Sequence, residues 1–272
     1  MRNLSLTKEA IIKRNNVTIH GTGSKVMMLA HGFGCDQRMW RFVLPALSER
    51  YTLVLFDYVG SGNSDLSSFS VDKYADLNGY AQDAVDIIDA FELKDVTFVG
   101  HSVSSMIGLI ASIASPGAIA ELIMVCPSPC FLNDLPEYEG GFNRSDLEEL
   151  LSLMDKNYIG WANYLAPLVM GANSSEALIG ELSGSFCSTD PVVAKAFAKA
   201  TFFSDHRSLL PQCSARTLIL QSASDSLASV HIGEYIHQHV PDSELKIIEA
   251  EGHCLHMTDP EVAARSVIDF AG

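Results

Sequence analysis

The stretch Val96-Thr97-Phe98-Val99-Gly100-His101-Ser102-Val103-Ser104 decides how this chain is read. Val96–Val99 reads as a strand, and Met106, Ile107 and Ile110 continue as a helical pattern directly after it. Ser102 therefore stands in a sharp strand-to-helix turn. Backbones crowd in such a turn, so the residues two before and two after must be small. Gly100 meets that need. Ser104 stands where the pattern G-x-S-x-G carries Gly, and it too is small. A turn of this shape lifts the serine hydroxyl above the end of the sheet, the place for a nucleophile. On its own a degenerate G-x-S-x-S arises often by chance, and its meaning depends on what the rest of the chain supplies.

Outward from that turn, short apolar runs alternate with helical patterns. Val17–His20, Val26–Ala30, Thr52–Phe56, Leu122–Cys126, Thr217–Gln221 and Leu245–Glu249 read as further strands. Several are apolar without alternation, as expected of central strands covered on both faces. Between them Ala84, Ile87, Ile88 and Phe91 mark one face of a helix. The fold class is α/β, with a mostly parallel sheet flanked by helices. Val17–His20 and Val26–Ala30 flank Gly21-Thr22-Gly23 and read as an antiparallel hairpin at the sheet edge.

The alternation stops after Cys126. Four helix patterns fill the stretch from about Phe131 to Ser204. Ser145 with Glu148 reads as a capping box before Leu147, Leu150, Leu151 and Met154. A second helix runs through Trp161, Leu165 and Leu168 and bends at Pro167. A third covers Ser175 to Cys187, and a fourth opens with Asp190 as cap and Pro191 at its first position. An insert of about 70 residues is marginal as an independent domain, so it reads as a lid. The expected organisation is a core of residues 1–130 and 205–272 with a helical lid of residues 131–204.

Two further residues follow strands in an informative order. Asp225 comes shortly after Thr217–Gln221, and His253 after Leu245–Glu249. Both thus fall at carboxyl ends of strands, where open α/β sheets place their sites. The order Ser102, Asp225, His253 is that of a nucleophile, an orienting acid and a base on such a sheet. Asp190, Asp205 and Asp259 are rival acids, but none follows a strand. Acyl transfer also needs donors for the developing oxyanion. The backbone N–H groups of Phe33, in His31-Gly32-Phe33-Gly34, and of Val103 are the expected pair. Phe33 and His101, with the insert's Phe142, Trp161, Phe186, Phe202 and Phe203, are expected to line a substrate pocket.

Other motifs weigh less. Asp57-Tyr58-Val59-Gly60-Ser61-Gly62 is too short for a phosphate loop and has no Lys, so it reads as a turn beside the site. His237 and His239 lack a matching acid cluster, so neither a metal nor a cofactor is expected. The 272 residues suffice for one large α/β domain. Lys+Arg 18 against Asp+Glu 33 gives a net charge of −15, which disfavours nucleic acid and anionic membranes as partners. Met1–Ala10 holds charges and no apolar core of a signal peptide. The six cysteines follow no disulfide spacing, which fits a cytoplasmic protein.

The motifs together resemble a known group. His31 to Gln37, Leu55 to Gly62, Gly100 to Val103, Pro127 to Cys130, Leu132 to Asp134, Pro136 to Tyr138, Lys156 to Ala162, Phe186 to Pro191, Phe202 to Arg207 and Gly252 to Met257 look like the RsbQ-like α/β-hydrolases. These are bacterial stress-response regulators, and plant strigolactone and karrikin receptors belong to the same wider group. The resemblance spans nearly the whole chain. It implies a four-helix V-shaped lid over a small hydrophobic pocket, the triad named above, and a role in signalling beside a PAS-domain protein phosphatase. Two functions are thus expected: a serine hydrolase for a small hydrophobic ester or lactone, or a ligand-binding receptor whose slow hydrolysis accompanies recruitment of a partner. Cofactor-free haloperoxidase or carbon–carbon bond hydrolysis is a weaker third, and a haloalkane dehalogenase would need Asp where Ser102 stands.

Overall fold

The computed structural model describes residues 7–272. Met1 to Leu6, the start of the charged stretch read above as no signal peptide, lie outside the described residues. Among these residues seven strands form one sheet: β1 (Thr18–His20), β2 (Lys25–Ala30), β3 (Tyr51–Leu55), β4 (Val96–His101), β5 (Ile119–Val125), β6 (Arg216–Ser224) and β7 (Ser243–Glu251). Their order is β1-β3-β2-β4-β5-β6-β7. Every pairing is parallel except β1 with β3. The helices are α1 (Lys8–Asn15), α2 (Leu44–Ser48), α3 (Leu77–Ala90), α4 (Val103–Ala114), α5 (Arg144–Lys156), α6 (Tyr158–Met170), α7 (Glu176–Ser188), α8 (Pro191–Phe202), α9 (Val230–His239), α10 (Leu255–Thr258) and α11 (Pro260–Ala271).

The continuous apolar runs make sense on this sheet. Alternate residues of one strand serve opposite faces. Met27 and Leu29 pack with Leu47 of α2 and Phe270 of α11, whereas Met28 and Ala30 pack with Tyr80 of α3 and Met106 of α4. Both faces are covered, so no residue of β4 is exposed. Among the described residues no helix is long and apolar enough to cross a membrane.

The expected hairpin between β1 and β2 does not form. β1 pairs antiparallel with β3, Thr18 opposite Leu55, and β2 lies between β3 and β4. The two glycines serve a crossing instead of a tight turn. After β1 the chain passes the backbone of Ser48, Arg50 and Tyr51, and a side chain at Gly21 or Gly23 would collide with it. The arrangement also suits burial. β1 is partly exposed, with Ile19 open to solvent, and tolerates the edge, whereas the fully buried Met27–Ala30 takes the interior. Each large apolar side chain so buried contributes roughly 1.5–3 kcal/mol.

Helices α5–α8 lie between β5 and β6, and a bridge between Cys130 and Asp205 joins the two ends of that insert. α6 contains Pro167, the Ser175 hydroxyl caps α7, and Asp190 with Pro191 opens α8. The cap of α5 differs from the expected Ser145–Glu148 pair. It is Asn143, whose backbone N–H donates to Asp146 in a capping box. Ser145 already lies inside the first turn, two residues past the cap, so its side chain no longer stands where a capping hydroxyl would.

Candidate active site

β4 ends in Gly100-His101 and α4 begins at Val103, so Ser102 alone makes the turn. It does so at φ 55° and ψ −121°. Gly100 permits the tight packing, since a side chain there would strike the backbone of Ser104. The turn is anchored by the Ser102 N–H donating to the Val125 carbonyl at 2.8 Å and by the Ser105 N–H donating to Ser102 O at 2.9 Å. The hydroxyl is left to point at the base.

The Ser102 hydroxyl donates to Nε2 of His253 at 2.7 Å, and His253 Nδ1–H donates to Oδ2 of Asp225 at 2.7 Å. The three residues, carried on separate strand ends, thus form one hydrogen-bonded chain. The Asp225 carboxylate also accepts the N–H groups of Leu227 (2.9 Å) and Ala228 (3.1 Å). Burial pushes this carboxyl up, but the His253 ring and the bonding N–H groups outweigh it, and its pKa lies below the ordinary value. The charge that orients the imidazole is therefore kept at neutral pH. The backbone of His253 is pinned as well: its N–H donates to Val169 O of α6 at 2.7 Å, and its carbonyl accepts from His101 Nε2 at 2.9 Å.

Phe33 follows β2 and Val103 opens α4. Among the described residues, no backbone hydrogen bond engages either N–H. Val103 further sits at the positive end of a 12-residue helix, which favours negative charge nearby. Ser104 turns out to link the two halves of this arrangement. Its buried hydroxyl donates to His31 O at 2.5 Å and accepts from the Tyr58 hydroxyl at 2.9 Å. Nε2 of His31 accepts the Tyr58 N–H at 3.1 Å, so Nδ1–H donates to Gly32 O at 2.8 Å. Burial lowers the His31 pKa despite nearby Asp57 and keeps the ring neutral. A glycine at position 104 would have no group to tie the turn to the His31–Phe33 loop.

A chamber of about 30 Å³ adjoins Ser102. Phe33, His101, Phe186 and Phe202 line it, together with Cys35, Phe131, Leu165, Val169, Leu182, Thr201, Leu227, His253 and Cys254. Trp161, Phe142 and Phe203 do not. Trp161 packs behind Phe33 and Phe186, with ring centres 6.0 and 5.2 Å away. Arg144 lies over the Phe203 ring. Phe142 lines a second, outer groove of about 510 Å³ between α5 and α6, with Leu147, Leu150, Leu153 and Leu168. Leu165, Phe202 and Leu227 border both spaces. The aliphatic wall of the chamber has no signature in the sequence, because Leu165 reads only as part of a helix stripe and Val169 and Leu182 are ordinary apolar helix residues.

The other sequence motifs have structural uses. Asp57 accepts the N–H groups of Gln37 and Asn63, closing its glycine-containing turn. His237 bonds Ser243, and His239 stacks on Tyr235. Cys126 lies close to Asp225 and His253, with ligand atoms within 4.8 Å of one another. Burial pushes this thiol up to about 12, so it is protonated and bonds Ser222.

The chain is similar to known proteins over nearly its whole length. The profile of the alpha/beta hydrolase fold matches residues 25–260. The chain is 39% identical over 249 residues to Karrikin insensitive 2 receptor CA of Petunia hybrida, covering 91% of this chain and 92% of that one. It is 34% identical over 261 residues to Strigolactone esterase D14 of Arabidopsis thaliana, covering 96% and 97%. Among solved structures, a hydrolase from Oleispira antarctica superposes with a TM-score of 0.97 at 60% identity and covers 98% of each chain.

Proposed function

The chain belongs to the alpha/beta hydrolase fold family, and from that premise we propose that it is a serine hydrolase for a small apolar ester or lactone. The observation that carries this reading is the chain Ser102 Oγ–His253–Asp225, with both bonds at 2.7 Å. His253 takes the hydroxyl proton as Ser102 attacks the carbonyl carbon. The N–H groups of Phe33 and Val103 receive the oxyanion. His253 then protonates the leaving alcohol, and water activated by the same ring releases the acid. The small apolar chamber fits a short acyl group, with the outer groove for the remainder under a lid of residues 131–204. Five of the six free cysteines are buried, which suits a reducing cytosol.

A second reading is favoured by the names of the relatives, one a receptor and one an esterase. In it the ligand's occupancy, more than its turnover, is the signal, and a partner docks on the lid. The resemblance noted in the sequence points to a stress response and a PAS-domain phosphatase. The exposed Glu137 and Lys156 are available for such contact, whereas Asp134 is spent on Arg207 at 3.0 Å. Covalent labelling by a serine-directed fluorophosphonate tests the first reading: one label, on Ser102, is expected.

A further inference from the structure

We infer that His101 is a positioning residue whose ring sets the distance between His253 and the loop carrying Phe33. Two contacts made by one side chain carry this. Its Nε2–H donates to the carbonyl of His253 at 2.9 Å. Its Nδ1–Cε1 edge lies so close to Gly32 that any side chain at Gly32 would overlap it. His101 thus spans from the backbone of the base to the backbone just before the Phe33 N–H. Because it also immediately precedes Ser102, the same residue is linked to the base, the nucleophile and the loop of Phe33.

The ring is held from behind by a cluster of rings that the proposed mechanism does not otherwise use. His256 packs on His101 with ring centres 4.6 Å apart, and Trp40 packs on His256 at 4.4 Å. All three are almost fully buried. His101 Nδ1, both nitrogens of His256 and Nε1 of Trp40 have no hydrogen-bond partner among the described residues. The cluster therefore acts through the packing of tilted rings, and a charge in it would be unsupported. Burial, with the neighbouring His253, pushes the His101 pKa down to about 3, so the ring stays neutral across the working range.

The inference rests on the proposed role of His253, and the test separates the two. A Gln amide nitrogen lies as many bonds from the backbone as Nε2, so His101→Gln restores the donor to His253 O. In His101→Asn the amide is one bond too short, and His101→Leu has no donor. For a short-chain aryl ester, kcat should fall on the order of 10- to 100-fold in the Asn and Leu variants with KM within about twofold, as a misplaced base predicts. The Gln variant should keep kcat within about threefold. The low-field proton resonance of the His253–Asp225 bond should persist in the Gln variant and shift or broaden in the Asn variant. If the Leu variant does not fold, the Gln and Asn pair decides, since both side chains are polar amides. Equal kcat in Gln and Asn, or a rise in KM without a fall in kcat, would overturn the positioning role. A wrong triad shows differently, as ester turnover surviving in Ser102→Ala whatever the resonance does.

Discussion

Ser102 holds a backbone conformation that an L-residue with a side chain adopts only at a cost of about 1–3 kcal/mol. The surrounding bonds to Val125 and Ser105 impose it, and the gain is a hydroxyl aimed at His253. Alanine can occupy the same turn, so Ser102→Ala should fold and lose only the nucleophile. Ester turnover should drop by a factor on the order of 10⁶ in a well-tuned enzyme, and by less if the wild type is slow. Binding of an intact ester, measured by calorimetry, should survive. Signalling that persists in this variant would favour the receptor reading, and turnover that persists would remove Ser102 from the mechanism. The positions of Ser102, Asp225 and His253 were legible because each follows its own strand. The use of Ser104 was not, because its partners Tyr58 and His31 come from segments far away in sequence.

Among the elements, the insert governs what reaches the chamber. Phe202, in the last turn of α8, is nearly buried and stands between the 30 Å³ chamber and the 510 Å³ groove. Phe202→Ala should join the two spaces. The preferred acyl length, read from kcat/KM along a series of p-nitrophenyl esters, should move to longer chains. Stability should fall by about 3–5 kcal/mol, the usual range for removing a buried Phe. An unchanged chain-length profile in a folded variant would mean that another side chain closes the chamber. The helices of the insert are legible from stripes and, except for α5, from caps, but their partners are not. Hydrophobic patterning also fails where burial is polar. α1 went unread because its inward face is Ile11 with Arg14 and Asn15, and Arg14 pairs with Asp83 and Asp86 at 3.2 and 2.7 Å. The edge order of the sheet was missed for a related reason. Two glycines between two strands suggest a turn, and only the nearby backbone of Arg50 and Tyr51 shows that they serve a crossing.

At the scale of the whole molecule, three buried imidazoles tie stability to pH. His31, His101 and His256 are fully buried, and burial lowers the pKa of each. Above about pH 6.5 these groups are neutral in both folded and unfolded chains and have no effect. Below it the unfolded chain takes up protons that the folded one refuses, so stability falls with pH until the folded values are reached. Each such group costs up to about 1.4 kcal/mol per pH unit in that window. The Asp225 carboxylate adds its own loss only at lower pH, as it is protonated in the folded state. Urea unfolding at pH 7.5 and 5.5 should show a clear drop, smaller in a folded His256→Phe variant, and equal stability at the two values would contradict the burial of neutral rings. A single activated serine, Ser102, underlies the proposed chemistry, and the intact mass of the protein after treatment with a fluorophosphonate probes it. A single adduct on the peptide containing Ser102, absent from Ser102→Ala, is the predicted result. Several adducts, an adduct on another residue, or none on a folded protein would contradict it.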